Sequence, residues 1–205
     1  MNDSRKKLRF MIWVTMLCSI QITLMLTPLG FVTVGPLLRI TTLHIPVILA
    51  GVLLGTKAGA ILGLLFGLGS VITNTLTPGP ISFVFTPFYS LGEYHGNVLS
   101  LVIAIVPRVL LGVLSAQIYR RFTNKKIGIF TTAVCCTLIH SIMVLGLIYL
   151  FFGPAYASAA NIESTRLLRA LLATVFTNGL LEAALAGVVV TGLTKVLEPI
   201  IKKVM

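Results

Sequence analysis

Residues 127–152 read IGIFTTAVCCTLIHSIMVLGLIYLFF, 26 positions without an Asp, Glu, Lys or Arg. Wound as a helix, this stretch is about 39 Å long, and the hydrocarbon core of a bilayer is about 30 Å thick. Lys125 and Lys126 close it on one side, Gly153 and Pro154 on the other. Two further runs carry no charge, one between Arg9 and Arg39 and one from Ala58 to Gly92. The whole chain of 205 residues follows suit, with 57% hydrophobic and 10% charged residues and a mean hydropathy of +1.03. A water-soluble domain carries about 25% charged residues. This chain has too few to cover a surface, so its solvent is lipid.

Turn residues divide the apolar runs. Thr27-Pro28-Leu29-Gly30 ends the first helix, and Gly35-Pro36 keeps the chain after it irregular. Thr73-Asn74, Pro78-Gly79-Pro80 and Pro87 interrupt the second run, and Phe152-Gly153-Pro154 ends the third. The expected fold is all-α: one integral membrane domain over 1–205, a compact bundle of six transmembrane helices. These are expected at about 8–27, 44–56, 57–73, 96–122, 126–152 and 164–197. Helices 2 and 3 have almost no linker.

The 16 basic and 5 acidic residues orient the bundle through the excess of Lys and Arg on cytoplasmic loops. Arg5, Lys6, Lys7 and Arg9 precede helix 1, and Lys57 lies in the 2–3 turn. Arg120, Arg121, Lys125 and Lys126 sit between helices 4 and 5, and Lys195, Lys202 and Lys203 near the end. Six spans with both termini inside place all twelve in the cytoplasm. The basic-then-apolar start resembles a signal peptide, but no small-residue cleavage site follows it, so helix 1 is expected to remain. Outside this set every basic residue is an arginine: Arg39, Arg108, Arg166 and Arg169. A charge of +11 thus reads as membrane orientation, with no nucleic-acid partner.

Arginine offers a planar fork of donors suited to a carboxylate or phosphate. Arg39, in the outer 1–2 loop, and Arg169, at the outer end of helix 6, are candidates for an outward-facing anion site. Arg166 reads as a loop residue. Arg108 lies about 18 Å into helix 4, near mid-membrane, and Glu182 lies at middle or inner depth in helix 6. Buried single charges are costly unless paired or facing water. A structural ion pair between the two is the favoured reading, with one member lining a cavity as the alternative. Thr132, Cys136 and His140 form one polar stripe, and Thr174, Asn178 and Glu182 another. His140 and Asn178 are the ligand candidates; Cys136 reads as packing.

Gly55, Gly59, Gly63 and Gly67 repeat every four residues, a small-xxx-small stripe that admits a close helix neighbour. Thr15, Ser19 and Thr23 make a weaker stripe on helix 1. Either could pack internally or dock a partner. The outer loops 30–46 and 74–97 are too apolar for tethers and read as ordered covers over a ligand. Thr41, Thr42 and His44 in the first, and Tyr89 in the second, are its candidate contacts; Thr42 also suits a capping role.

At this point the residues match a known pattern. The segment Arg39-Ile40-Thr41-Thr42-Leu43-His44-Ile45-Pro46 runs into Gly51-Val52-Leu53-Leu54-Gly55-Thr56-Lys57-Ala58-Gly59. With the basic N-terminus, the six spans and the apolar first loop, it resembles the S components of energy-coupling factor (ECF) vitamin transporters. Thr-Thr-Leu-His-Ile-Pro looks most like the pantothenate-specific members. The likeness covers the layout of the chain and, in detail, residues 28–70. It implies a high-affinity vitamin-binding subunit in a prokaryotic plasma membrane. Such a subunit joins a transmembrane scaffold and two ATPase subunits, and reorients against the scaffold to release its cargo inward. It also implies that helix 1 faces the scaffold, although Thr15, Ser19 and Thr23 stand where the family usually has alanines.

The remaining residues narrow the field. No GxxxxGK[ST] loop is present, so ATP and Mg belong to the partner subunits and this chain is expected to bind no cofactor. Cys18, Cys135 and Cys136 lack metal spacing and sit in apolar runs. Without a GxSxG nucleophile, an HExxH pair or paired carboxylates, the chain is expected not to be an enzyme. An S component for hydroxymethylpyrimidine, pyridoxine, folate or riboflavin would keep the fold and alter the pocket. A proton-coupled carrier would need a longer titratable relay than Glu182 with His140, and two related halves, of which the sequence gives no sign.

Overall fold

A computed structural model describes residues 3–34 and 38–204, with the side chains of 31–40, Lys126 and Val204 outside the description. Gly35 and Pro36, expected to keep the first loop irregular, and the side chain of Arg39 therefore lie outside it. The helices are α1 (Asp3–Leu26), α2 (His44–Leu54), α3 (Thr56–Leu76), α4 (Val98–Arg121), α5 (Lys125–Ala159), α6 (Leu167–Thr174) and α7 (Leu180–Val204). A π-helical turn, Val175–Gly179, joins α6 to α7 in one rod, so the described residues form six rods. Five of these are long and apolar enough to cross a membrane, as a multi-pass membrane protein requires.

The exception is α2. With 11 residues it reaches about 16 Å, short of the hydrocarbon thickness; the helix expected at 44–56 is present and the count of six holds, while its reading as a transmembrane span is corrected. Its sequence suits another position. His44 through Val52 are all buried, and a helix that is apolar and covered on every side is a core helix. Gly55, at φ 91°, lets the chain turn directly from α2 into α3, a backbone region that glycine enters without strain.

The glycine stripe sets the tightest packing. Gly59 faces Gly112, Gly63 faces Arg108 and Gly67 faces Ala104, an antiparallel register along α3 and α4. A Cβ on Gly67 would stand 2.9 Å from the Ala104 carbonyl oxygen, and at Gly59 or Gly63 the approach is closer still. Gly51 of α2 meets Gly112 and Ser115, so three helices converge at one point. The backbones touch because no side chain separates them. Since α4 covers the face bearing Gly59, Gly63 and Gly67, the expectation that it docks a partner is corrected, and Gly55 is a turn residue.

α1 behaves differently. Only Val14, Leu17 and Gln21 are buried, a narrow stripe on one face. Thr15, Ser19 and Thr23 are exposed on another. Ser19 donates to the Thr15 carbonyl at 3.0 Å and Thr23 to the Ser19 carbonyl at 2.9 Å. This back-bonding satisfies hydroxyls that lipid could not.

Two further departures concern the segments between helices. The 30–46 loop contains an antiparallel hairpin, β1 (Phe31–Val34) with β2 (Leu38–Thr41). The 74–97 segment holds a 3-10 turn at Ser82–Val84 and a short hairpin, β3 (Ser90–Leu91) with β4 (Tyr94–His95). Phe83 anchors this second segment, packing on Phe152 and Tyr94 with ring centroids 5.9 Å apart in each pair. α5 does not end at Phe152 but runs through Pro154 to Ala159. One proline removes one intrahelical donor, which the rest of a long helix outweighs.

Candidate ligand-binding site

A cavity of about 540 Å³, partly open to the surface, lies where all six rods meet. Met25 of α1, His44 of α2, Phe66 and Ser70 of α3, Arg108 of α4 and His140 of α5 contribute to it. Thr174, Asn178 and Glu182 add the polar stripe of the last rod. That stripe flanks and enters the π turn, which adds a residue to one helical repeat and is a frequent feature of functional sites.

Arg108 dominates the wall. It is 7% exposed, and its position follows from the residue before it. Pro107 has no N–H, so the carbonyl four residues earlier, that of Ile103, loses its helical donor. The Arg108 Nη1 donates to that Ile103 carbonyl. The guanidinium then lies between two rings, 5.5 Å from the Phe66 centroid and 5.4 Å from that of Phe85. Its Nε has no partner. Phe66 also meets the His140 ring, with centroids 6.1 Å apart. His44 Nε2 and His140 Nε2 are buried without partners as well. The site thus presents a guanidinium and two imidazoles whose hydrogen-bonding capacity the protein leaves unfilled, a departure from the rule that buried polar groups are paired.

The expected ion pair between Arg108 and Glu182 is not formed. The ion pairs among the described residues are Lys7–Asp3, Arg166–Glu163 and Lys202–Glu198. Glu182 Oε1 instead accepts the backbone N–H of Thr41, the last residue of β2, at 2.6 Å. On the other side of the same strap, Gln21 of α1 donates its Nε2 to the Leu43 carbonyl at 3.0 Å. The link between hairpin and α2 is held from α7 and from α1 at once.

Of the residues singled out in the sequence, Thr41, His44, Arg108, His140 and Asn178 line this cavity. Thr42 does not; its hydroxyl donates to the Leu29 carbonyl at 2.7 Å, a local role. Tyr89 packs on the cluster around Phe83. Arg169 lies with Asn161 and Arg166 in a shallow surface depression elsewhere. Cys136 belongs to the main apolar core. The sequence reading missed Phe66, Ser70, Thr73, Asn74 and Ser82. Phe66, Ser70, Thr73, Asn74 and Thr77 follow helical spacing on one face of α3 and its end; Thr73-Asn74 was read as turn punctuation, whereas α3 runs through it to Leu76. Asn74 Oδ1 accepts from Ser82 at 2.7 Å, and Ser82 Oγ accepts from the Gly79 N–H at 2.9 Å, so the rim is cross-linked.

Comparison with known proteins agrees with this architecture. The family profile described as "ECF transporter, substrate-specific component" matches residues 9–194. The chain is 35% identical over 150 residues to the "Pantothenic acid transporter PanT" of Lactococcus lactis subsp. cremoris, covering 70% of this chain and 76% of that protein. It is 26% identical over 212 aligned positions to the "Pantothenate transporter PanT" of Leuconostoc mesenteroides subsp. mesenteroides, covering 98% of this chain and 97% of that one. With a profile match across most of its length and a cavity walled by every rod of the bundle, the chain belongs to the substrate-specific components of ECF transporters.

Proposed function

We propose that this chain binds pantothenate with high affinity from outside the cell and delivers it inward as the S component of an ECF importer. Both termini face the cytoplasm, the mouth of the cavity faces outward, and a transmembrane scaffold with two ATPase subunits supplies the work of release. α1 meets the scaffold through the face carrying Thr15, Ser19 and Thr23.

The single observation that carries the reading is Arg108, buried, aimed at a cavity, and without a carboxylate from the protein. A buried cation of this kind is complementary to a ligand carboxylate. Pantothenate has one carboxylate, an amide, two hydroxyls and a branched apolar centre. Phe66, Phe85 and Val144 suit the apolar part, and Ser70, Thr73, Asn74 and Asn178 suit the amide and hydroxyls. The names of the two relatives point to the same vitamin.

Isothermal titration of the detergent-purified chain with pantothenate, folate, riboflavin, pyridoxine and hydroxymethylpyrimidine tests this. Pantothenate is expected to bind alone, below the micromolar range, with binding lost in Arg108→Ala and kept in Arg169→Ala. Tight binding of a neutral vitamin would discard the use made of Arg108 and leave the family assignment standing.

A further inference from the structure

The cavity has two poles of opposite chemistry. Arg108 is a donor without acceptor capacity, and Glu182, when ionised, accepts only. Glu182 is the only one of the chain's 5 acidic residues that lines the cavity. Were this carboxylate there to neutralise Arg108, the two would pair, and they do not. Were it there only to pin the hairpin, a neutral acceptor would serve. Partly desolvating an ionised carboxylate for one backbone N–H is a poor exchange, because the hydration given up outweighs the single hydrogen bond gained.

Thr41 brings its backbone N–H to this carboxylate. A carboxylate has about four acceptor positions, so acceptor capacity remains on a group that faces the cavity. A ligand that meets both poles must present an anion to Arg108 and a hydrogen-bond donor to Glu182. Reversed, it would set carboxylate against carboxylate in a medium where like charges repel strongly.

We infer that Glu182 is a specificity residue that accepts a hydroxyl of the bound vitamin while holding Thr41, and so fixes which end of the molecule faces α7. The inference rests on the pantothenate reading above. It gives the two ends of the ligand separate readers, Arg108 for the carboxylate and Glu182 for the hydroxyl-bearing end. Because the carboxylate also holds the last residue of β2, the ligand's hydroxyl and the hairpin share one anchor.

The test is titration of the wild-type chain, Glu182→Ala and Glu182→Gln with pantothenate and with the analogue in which both hydroxyls are replaced by hydrogen. A hydrogen bond to a charged group is worth about 10- to 100-fold in affinity, so the wild type is expected to prefer pantothenate by that factor. In Glu182→Ala the preference should collapse to within about 3-fold, a change in ratio that loss of structure alone would not produce. Glu182→Gln keeps an acceptor for Thr41, so it retains the hairpin anchor, and should lose most of the preference. Equal affinity of the wild type for both compounds, or an undiminished preference in both variants, would overturn the assignment. Absence of pantothenate binding by the wild type would instead overturn the functional reading, and this assignment with it.

Discussion

Replacing Arg108 by Met separates what the guanidinium does for the ligand from what it does for the fold. In the empty chain the terms nearly cancel. Removing the charge relieves a desolvation penalty of several kcal/mol. It forfeits one charged hydrogen bond to the Ile103 carbonyl, about 1.5–3 kcal/mol. It also forfeits two cation–π contacts, to Phe66 and Phe85, of about 0.5–2 kcal/mol each. Met keeps the apolar volume between the rings, so the unliganded variant should melt within a few degrees of the wild type. Binding is another matter: truncating one member of a buried charged pair costs about 2–5 kcal/mol, or roughly 30- to 5,000-fold in Kd. Thermal unfolding in detergent with and without pantothenate reads both quantities. At a ligand concentration of about 100 times the wild-type Kd the wild type should gain about 2.7 kcal/mol, and Arg108→Met at most about 0.9 kcal/mol, falling to nothing measurable at the upper end of that range. A variant that still shows the full ligand-induced shift would refute the role given to Arg108. One that unfolds without ligand would show the residue to be structural.

Three other substitutions probe the frame around the site. Gly63→Ala drives a Cβ into the Arg108 carbonyl and the Val109 backbone and should cost about 1–3 kcal/mol, whereas Gly192→Ala, where a Cβ meets nothing within 4 Å, should be neutral; melting temperatures decide. Gln21→Ala leaves the Leu43 carbonyl without its donor and should destabilise by about 1–3 kcal/mol, seen as a lower melting temperature, with an unchanged Tm counting against the strap. Ser19→Trp on the exposed face of α1 should leave pantothenate binding by the isolated chain intact and abolish uptake in cells that depend on the transporter; undiminished uptake would remove that face from the scaffold contact.

Which parts of this molecule could be read in its sequence follows from what each signal measures. Runs of uncharged residues report burial in lipid directly, so the long rods were legible from 127–152 alone. The bounds of α2, expected at 44–56 and found at His44–Leu54, were legible as well; its burial on every side was not, because a helix hidden among other helices and one exposed to lipid are equally apolar. The first hairpin was within reach. Phe31-Val32-Thr33-Val34 and Leu38-Arg39-Ile40-Thr41 are two β-prone runs around Gly35-Pro36, a hairpin signature overlooked in a segment read as loop. Pro154 misled for the opposite reason: a proline was taken to stop a helix that its neighbours carry onward to Ala159. Pro107 and Arg108 show the limit most clearly. Their adjacency already implies a freed carbonyl at Ile103 and a donor beside it. Where that donor points depends on which rods stand next to α4, and periodicity fixes a residue's face without naming its neighbour. Depth along two helices suggested that Arg108 and Glu182 pair; their separate partners came only with the packing.

That separation bears on transport itself. A cation and a carboxylate in one cavity would stabilise the empty protein most by meeting each other, and the fold keeps them apart. The carboxylate is tied to Thr41, and the guanidinium is left for something that arrives from outside. On the proposed function, the ligand then brings the counterion that the protein lacks, and binding is tight because the empty site is incomplete. The same feature makes release difficult. A ligand held at about 1 nM lies about 12 kcal/mol below its free state at 1 M, and thermal motion alone would open such a site slowly. On the proposed function, inward delivery requires the site to be distorted so that Arg108 loses its hold, and the strap at Thr41 and Leu43, tied to two helices, is one place where helix movement would reach the site. Gln21 ties that strap to α1 and Glu182 ties it to α7. On the proposed function, a scaffold pulling on α1 would act on the wall of the cavity through the Gln21–Leu43 hydrogen bond and through Met25, a route by which work done elsewhere in the complex would reach the ligand.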